Sequence, residues 1–116
     1  MSDLPTKVLI DARNVQRSLW PNLSDSELVE LAQRWADGQG HEAVIVFDGR
    51  APAGAIGTGR ESADDWLARE AARLAEAGEP YWLVTSDREL RERAGLGADK
   101  VTGGGRFARE LTSLSE

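Results

Sequence analysis

Apolar residues recur along this chain with two alternating periods. Short continuous apolar runs lie at 8–10 (VLI, after Lys7), 43–47 (AVIVF) and 81–85 (YWLVT). Between them, apolar positions return every three or four residues. Continuous runs of this length fit strands covered on both faces, and the longer period fits amphipathic helices. The pattern predicts strands at Lys7–Ile10, Ala43–Phe47 and Tyr81–Thr85, with Lys100–Thr102 as a fourth, edge strand.

The helices announce their starts and stops. Ser24 and Glu27 have capping-box spacing, and Leu28, Leu31, Ala32 and Trp35 follow at i, i+3, i+4 and i+7 until Gly38 and Gly40 end the pattern. Ser62 caps a long helix to about Ala77, closed by Gly78 and Pro80. Ser86 and Glu89 repeat the capping-box spacing ahead of a short helix that Gly95 ends. Phe107, Leu111 and Leu114 share one face of a last helix. Residues 49–60, GRAPAGAIGTGR, hold four glycines and a proline and read as a mobile loop. Strands alternating with helices imply βαβ units and a parallel sheet. No repeat, low-complexity tract or linker interrupts residues 1–116, so a single α/β domain is expected.

Three of the apolar runs end on a carboxylate: Asp11, Asp48 and Asp87. Open α/β sheets bind ligands outside the carboxyl ends of their strands, so these acids are expected on one edge of the sheet. The segment ESADDWLARE adds more. Asp64 shares a helix face with Leu67 and Ala71 and points inward; Asp65 faces solvent with Arg69 and Ala72. Asp65 reads as a capping partner of Ser62 that pairs with Arg69, and Glu61 is not fixed by periodicity. Two carboxylates about 5 Å apart repel by roughly 3 kcal/mol at an effective dielectric of about 20. Protonation or a divalent cation relieves that repulsion. Oxygen donors without Cys or His select Mg²⁺ or Mn²⁺ over zinc. Such an ion lowers the pKa of a water and steadies a phosphoryl oxygen during in-line attack.

Each acid also has a purely structural reading. Asp87, at the first position of a helix capped by Ser86, is favoured by the helix dipole alone. Asp48 before Gly49 can simply start a turn, and Asn14 can cap the segment VQRSLW. The coincidence of three strand-end acids with Asp64 is what points to a site. GAIGTG (54–59) echoes a dinucleotide loop but follows its strand too late, and GGGR (103–106) reads as the lead-in to the last helix or a phosphate contact. The tryptophans read as core or interface, with Trp20 the one expected to be exposed near the site.

Composition narrows the classes. The chain has no cysteine and one histidine, His41, which excludes disulfides and His-cluster zinc sites. The chain is 41% hydrophobic and 29% charged, as a globular domain should be. No apolar stretch approaches a membrane span, and MSDLPTK lacks the layout of a signal peptide, so a cytoplasmic location is expected. The net charge of −6 argues against a nucleic-acid partner. Yet of the 14 basic residues only Lys7 and Lys100 are lysines, and arginine is the side chain suited to bidentate phosphate contacts.

VLIDARN, VIVFDG, ESADDWL and LVTSDREL, followed by GGGRFAREL, resemble the NYN domain of the YacP-like branch of the PIN-like nuclease superfamily, over about Lys7 to Leu111. The resemblance implies a three-layer α/β/α sandwich with a central, mostly parallel sheet of about four strands. It also implies a magnesium- or manganese-dependent ribonuclease acting on RNA, single-stranded or in loops. Asp11 and Asn14 match the family's D-G-Y-N motif, Asp64 its T-A-D element and Asp87 its T-S-D element; Asp48 matches the acid after the second strand. On that basis Asp11, Asp64 and Asp87 are the expected metal ligands, with Asp48 assisting and Asn14 orienting. Arg13, Arg50, Arg60 and Arg88, near predicted strand ends, are the expected phosphate contacts, and loop 49–60 is placed to close over the substrate. Ala12-Arg13 replaces the family's Gly-Tyr, and Ser62 stands where threonine is usual. The loss of Gly-Tyr favours a first rival, a PIN-like module that binds RNA or protein without cutting; a toxin-type nuclease with an antitoxin partner is a second. Homodimerisation stays open. A phosphohydrolase using Asp48 as nucleophile needs a second acid two residues on, where Arg50 stands.

Overall fold

The computed structural model describes residues 5–114; the signal-peptide reading rests partly on residues 1–4, which lie outside that range. The element order is β1 (Thr6–Asp11), α1 (Ala12–Arg17), α2 (Asp25–Gln39), β2 (His41–Phe47), β3 (Ile56–Gly57), α3 (Ala63–Glu76), β4 (Tyr81–Val84), α4 (Arg88–Ala94), β5 (Lys100–Thr102) and α5 (Gly104–Leu114). The strands form one sheet in the order β3-β2-β1-β4-β5. Every pairing in it is parallel. Among the described residues no helix is long and apolar enough to cross a membrane.

Period-two alternation in β1 sorts the core into two layers. Val8 and Ile10 join Ile45, Phe47 and Val84 beneath α1, α2 and α5. Leu9, between them, packs on the other face with Val46, Leu83 and the buried stripe of α3, Leu67, Ala71 and Leu74. Both faces are therefore covered, as the continuous apolar runs require. In the first layer Trp35 meets Phe107 edge-on at 4.9 Å between ring centroids, which locks α2 against α5. His41 lies beside Trp35 and Trp82.

Several local expectations hold. Ser24 and Glu27 form the full capping box, and Gly40 closes α2 in the left-handed conformation with φ 72°. Others need correction. The sheet has five strands because the glycine-rich segment returns to pair Val46 with Ile56 and Phe47 with Gly57. That segment is not loose: Thr58 N donates to Phe47 O, Gly59 N to Gly49 O, and Gln33 Nε2 to Gly54 O. A Cβ on Gly57 would lie 2.5 Å from Gly49 O, so the strand can double back this closely only with glycine there. The expectation that loop 49–60 closes over a substrate gains no support from a segment so tied.

Candidate active site

The sheet order places a topological switch point between β1 and β4. The helices after β1 cover one face, and α4, after β4, covers the other. The crevice outside two such strand ends is where open α/β sheets hold ligands. Here an open depression of about 320 Å³ is lined by Asp11, Asp48, Asp64, Asp87, Asn14, Ser62, Arg13 and Arg17. Asp11 ends β1, Asp48 follows β2, Asp87 follows β4, and Asp64 comes from the first turn of α3. The four acids singled out in the sequence therefore face one volume.

Each carboxylate is held differently. Asp11 is only 8% exposed, and its Oδ2 accepts from the buried Thr85 hydroxyl at 3.0 Å. Asp48 Oδ1 accepts from Ala63 N at 2.7 Å, which ties β2 to the start of α3. Asp87 Oδ1 accepts from Leu90 N at 2.9 Å. Asp87 is thus itself the N-cap of α4, and the cap expected at Ser86 does not exist. The Ser86 hydroxyl accepts from Gly104 N at 2.8 Å instead. Asp64 accepts no hydrogen bond from the described residues, so both its oxygens, and Oδ2 of Asp48 and Asp87, are free to meet a cation.

The electrostatics follow from this crowding. Burial holds the Asp11 carboxyl above its ordinary range, and the Asp64 and Asp48 charges add to the rise, while the Thr85 hydroxyl and the Asn14 backbone N–H pull it back. Asp64 is also raised, by desolvation first and then by Asp87 and Asp48, with Arg93 opposing. Both groups resist ionisation because negative charge accumulates where water is partly excluded. The donor set is all hard oxygen, which fits magnesium or manganese. Among the described residues no three acids or imidazoles stand close enough to grip one ion together. A divalent ion held by these acids would therefore keep part of its water shell.

The remaining sequence candidates separate. Asn14 lines the depression, but its Oδ1 accepts from Ser86 N at 2.8 Å, so it joins α1 to the turn after β4 and caps nothing in α1. Arg13 lines the depression with its guanidinium committed to Asp25 at 2.8 Å and Gln16 at 2.7 Å, over the Phe47 ring. Arg50, Arg60 and Arg88 are exposed and are not part of the lining. Asp65 pairs with Arg93 at 2.8 Å, not with Arg69, because Arg69 turns to Glu61 and keeps Glu61 outside the site. Sequence reasoning missed Arg17, which lines the depression, and Thr85, which reaches Asp11. The run YWLVT ended on Thr85 visibly, but only β1–β4 adjacency reveals which acid it touches.

No family model and no curated protein matches the sequence. Solved structures do. A point-mutant form of Rae1 (YacP) from Bacillus subtilis superposes with a TM-score of 0.74 at 22% identity, covering 95% of this chain and 77% of that one. A second structure of Rae1 gives 0.67 at 18% identity, over 93% and 74%. At these identities the likeness establishes the fold: the five-stranded parallel sheet with helices on both faces is the α/β sandwich of those neighbours.

Proposed function

We propose that this chain is a magnesium- or manganese-dependent ribonuclease that hydrolyses phosphodiester bonds in single-stranded RNA. The observation that carries this reading is the convergence of Asp11, Asp48, Asp64 and Asp87 on one open depression at the switch point of the sheet. Two facts lend it support. The motifs holding these acids resemble those of the YacP-like NYN branch, and the fold resembles that of a protein bearing the YacP name.

Asp11, Asp64 and Asp87 would hold the divalent ion, with Asp48 assisting. When bound, the ion acidifies a water and neutralises charge on the phosphoryl oxygens. The protein's own groups prepare that site. The Thr85 hydroxyl fixes the buried Asp11 carboxylate, and Leu90 N and Ala63 N fix Asp87 and Asp48 through one oxygen each. Asn14 holds the turn carrying Asp87 against α1 and is a positioning residue. Arg17 has no ion-pair partner among the described residues, so it is the better phosphate contact at the depression, with Arg13 beside it; Arg50, Arg60 and Arg88 are left for contacts farther along a strand.

A second reading, an RNA- or protein-binding module that does not cut, draws on the absence of a preassembled trio of acids among the described residues and on Ala12-Arg13. RNA and DNA strands incubated with Mg²⁺, Mn²⁺ or chelator separate the two. Cleavage of RNA that appears with either metal and vanishes with chelator supports the nuclease. A working metal site also stabilises the fold by mass action, about 2.7 kcal/mol at a hundredfold excess over Kd. No cleavage and no thermal shift in either metal favours the binding module.

A further inference from the structure

Trp20 is 89% exposed, yet the segment that carries it, between α1 and α2, is tied down. Ser18 Oγ donates to Asn14 O at 2.6 Å, and Gln16 Nε2 donates to Leu23 O at 3.1 Å and to Asp25 at 2.7 Å. With its amide turned so that Nδ2 faces the carbonyls, Asn22 donates to Gln16 O at 2.9 Å and Leu19 O at 2.7 Å. A single exposed apolar side chain is ordinary on a protein surface. An indole held outward by a fixed segment, on the same short stretch as the unpaired Arg17, is not.

Two observations concern the cations of this region. A second groove, of about 300 Å³, runs along this segment past Asn22 and Leu23, and it shares Arg13 and Arg17 with the carboxylate depression. The two hollows therefore meet the same two arginine side chains. On the other side, α5 approaches the end of α1: a Cβ built on Gly105 would lie 3.7 Å from Ser18 Cβ and 3.7 Å from Arg109 Nη1. Neither the Arg17 nor the Arg109 guanidinium has a partner among the described residues. Arg17 precedes Trp20 on one short segment, and Arg109 approaches that segment at Ser18, so cations and the exposed ring belong to one region of the surface.

We infer that this strip seats a nucleotide flanking the scissile phosphate of single-stranded RNA, with Trp20 stacking on its base and Arg17 and Arg109 holding its phosphates. The inference rests on the ribonuclease reading and adds to it a site outside the carboxylate cluster. Stacking tolerates any base but needs an unpaired one, and one stacked base contributes about 1–3 kcal/mol, or roughly 5- to 150-fold in affinity. Electrostatics alone cannot supply this in so acidic a molecule, because attraction to the strand backbone depends on local cations.

The test is anisotropy binding of a fluorescein-labelled oligouridine of about 12 nucleotides, within the range one binding face covers. The same strand as a duplex and an abasic strand of equal length accompany it, all in calcium buffer. Trp20→Ala is expected to weaken oligouridine binding about 10-fold or more, and Trp20→Phe to keep most of it. The wild type should prefer the base-bearing strand to the abasic one, and Trp20→Ala should not. Fluorescence quenching by the oligonucleotide should be largest for the wild type and drop in Trp20→Phe, which retains Trp35, Trp66 and Trp82. Unchanged affinity and unchanged base preference in Trp20→Ala, or equal binding of duplex and single strand by the wild type, overturns the strip. If that wild-type protein still cuts RNA with Mn²⁺, the ribonuclease reading survives alone; a wild type that neither binds nor cuts overturns both.

Discussion

Thr85 Oγ1 donates to Asp11 Oδ2 at 3.0 Å and accepts from Asp87 N at 3.1 Å, so one buried hydroxyl sits between two of the acids of the depression. The contact joins residues 74 positions apart and exists because β4 lies beside β1. Thr85→Val keeps the shape but removes both roles, leaving the buried Asp11 carboxylate without its side-chain donor. An unsatisfied buried polar group costs about 1–3 kcal/mol. Urea unfolding should register a loss of that size for Thr85→Val and a much smaller one for Thr85→Ser. Equal stability of Thr85→Val and wild type would mean that Asp11 finds another donor.

Gly104 tests the joint between α1 and the turn after β4. A Cβ there would lie 2.2 Å from Asn14 Oδ1 and 3.0 Å from Ser18 Oγ. Gly104→Ala must push Asn14 off the amide of Ser86, and overpacking of this kind typically costs 1–3 kcal/mol. Thermal unfolding should therefore place Gly104→Ala below Gly105→Ala, whose Cβ would meet nothing closer than 3.7 Å. Identical melting of the two would remove Asn14's positioning role.

The raised acids give a pH dependence with a definite sign. Asp64 and Asp11 bind protons more tightly folded than unfolded. Their contribution to stability is therefore most favourable below the ordinary value of 3.8 and is lost as pH rises through the raised folded values. In chelator, Asp64→Asn should melt above wild type at neutral pH, and the gap should close as pH falls toward 3.8. Added Mg²⁺ should stabilise wild type at neutral pH and lose its effect on acidification. A gap that widens in acid contradicts this electrostatic account.

Much of this was legible in the sequence for physical reasons that can be named. Continuous apolar runs ending at Asp11 and before Asp48 located two parallel strand ends, because a strand buried on both faces cannot alternate. Helical spacing alone separated Asp64, which faces the depression, from Asp65, which faces Arg93. Long-range partners stayed hidden. Ser86 and Glu89 have capping spacing, but Gly104 N takes the Ser86 hydroxyl and the cap moves to Asp87. Arg69 is suitably spaced for Asp65, yet it closes on Glu61. A two-residue strand such as Ile56–Gly57 carries too little pattern to read, and its existence depends on how closely Gly57 lets two backbones approach.

Asp87→Asn addresses the central claim most directly, since asparagine can keep the hydrogen bond to Leu90 N and caps a helix as well as aspartate does. The substitution removes charge while leaving the cap. Cleavage of single-stranded RNA in Mn²⁺ should fall by at least about 100-fold, the upper end of what changes merely adjacent to metal ligands cost, with melting temperature retained. A folded Asp87→Asn protein that cuts RNA at the wild-type rate would contradict the claim that these carboxylates do the chemistry.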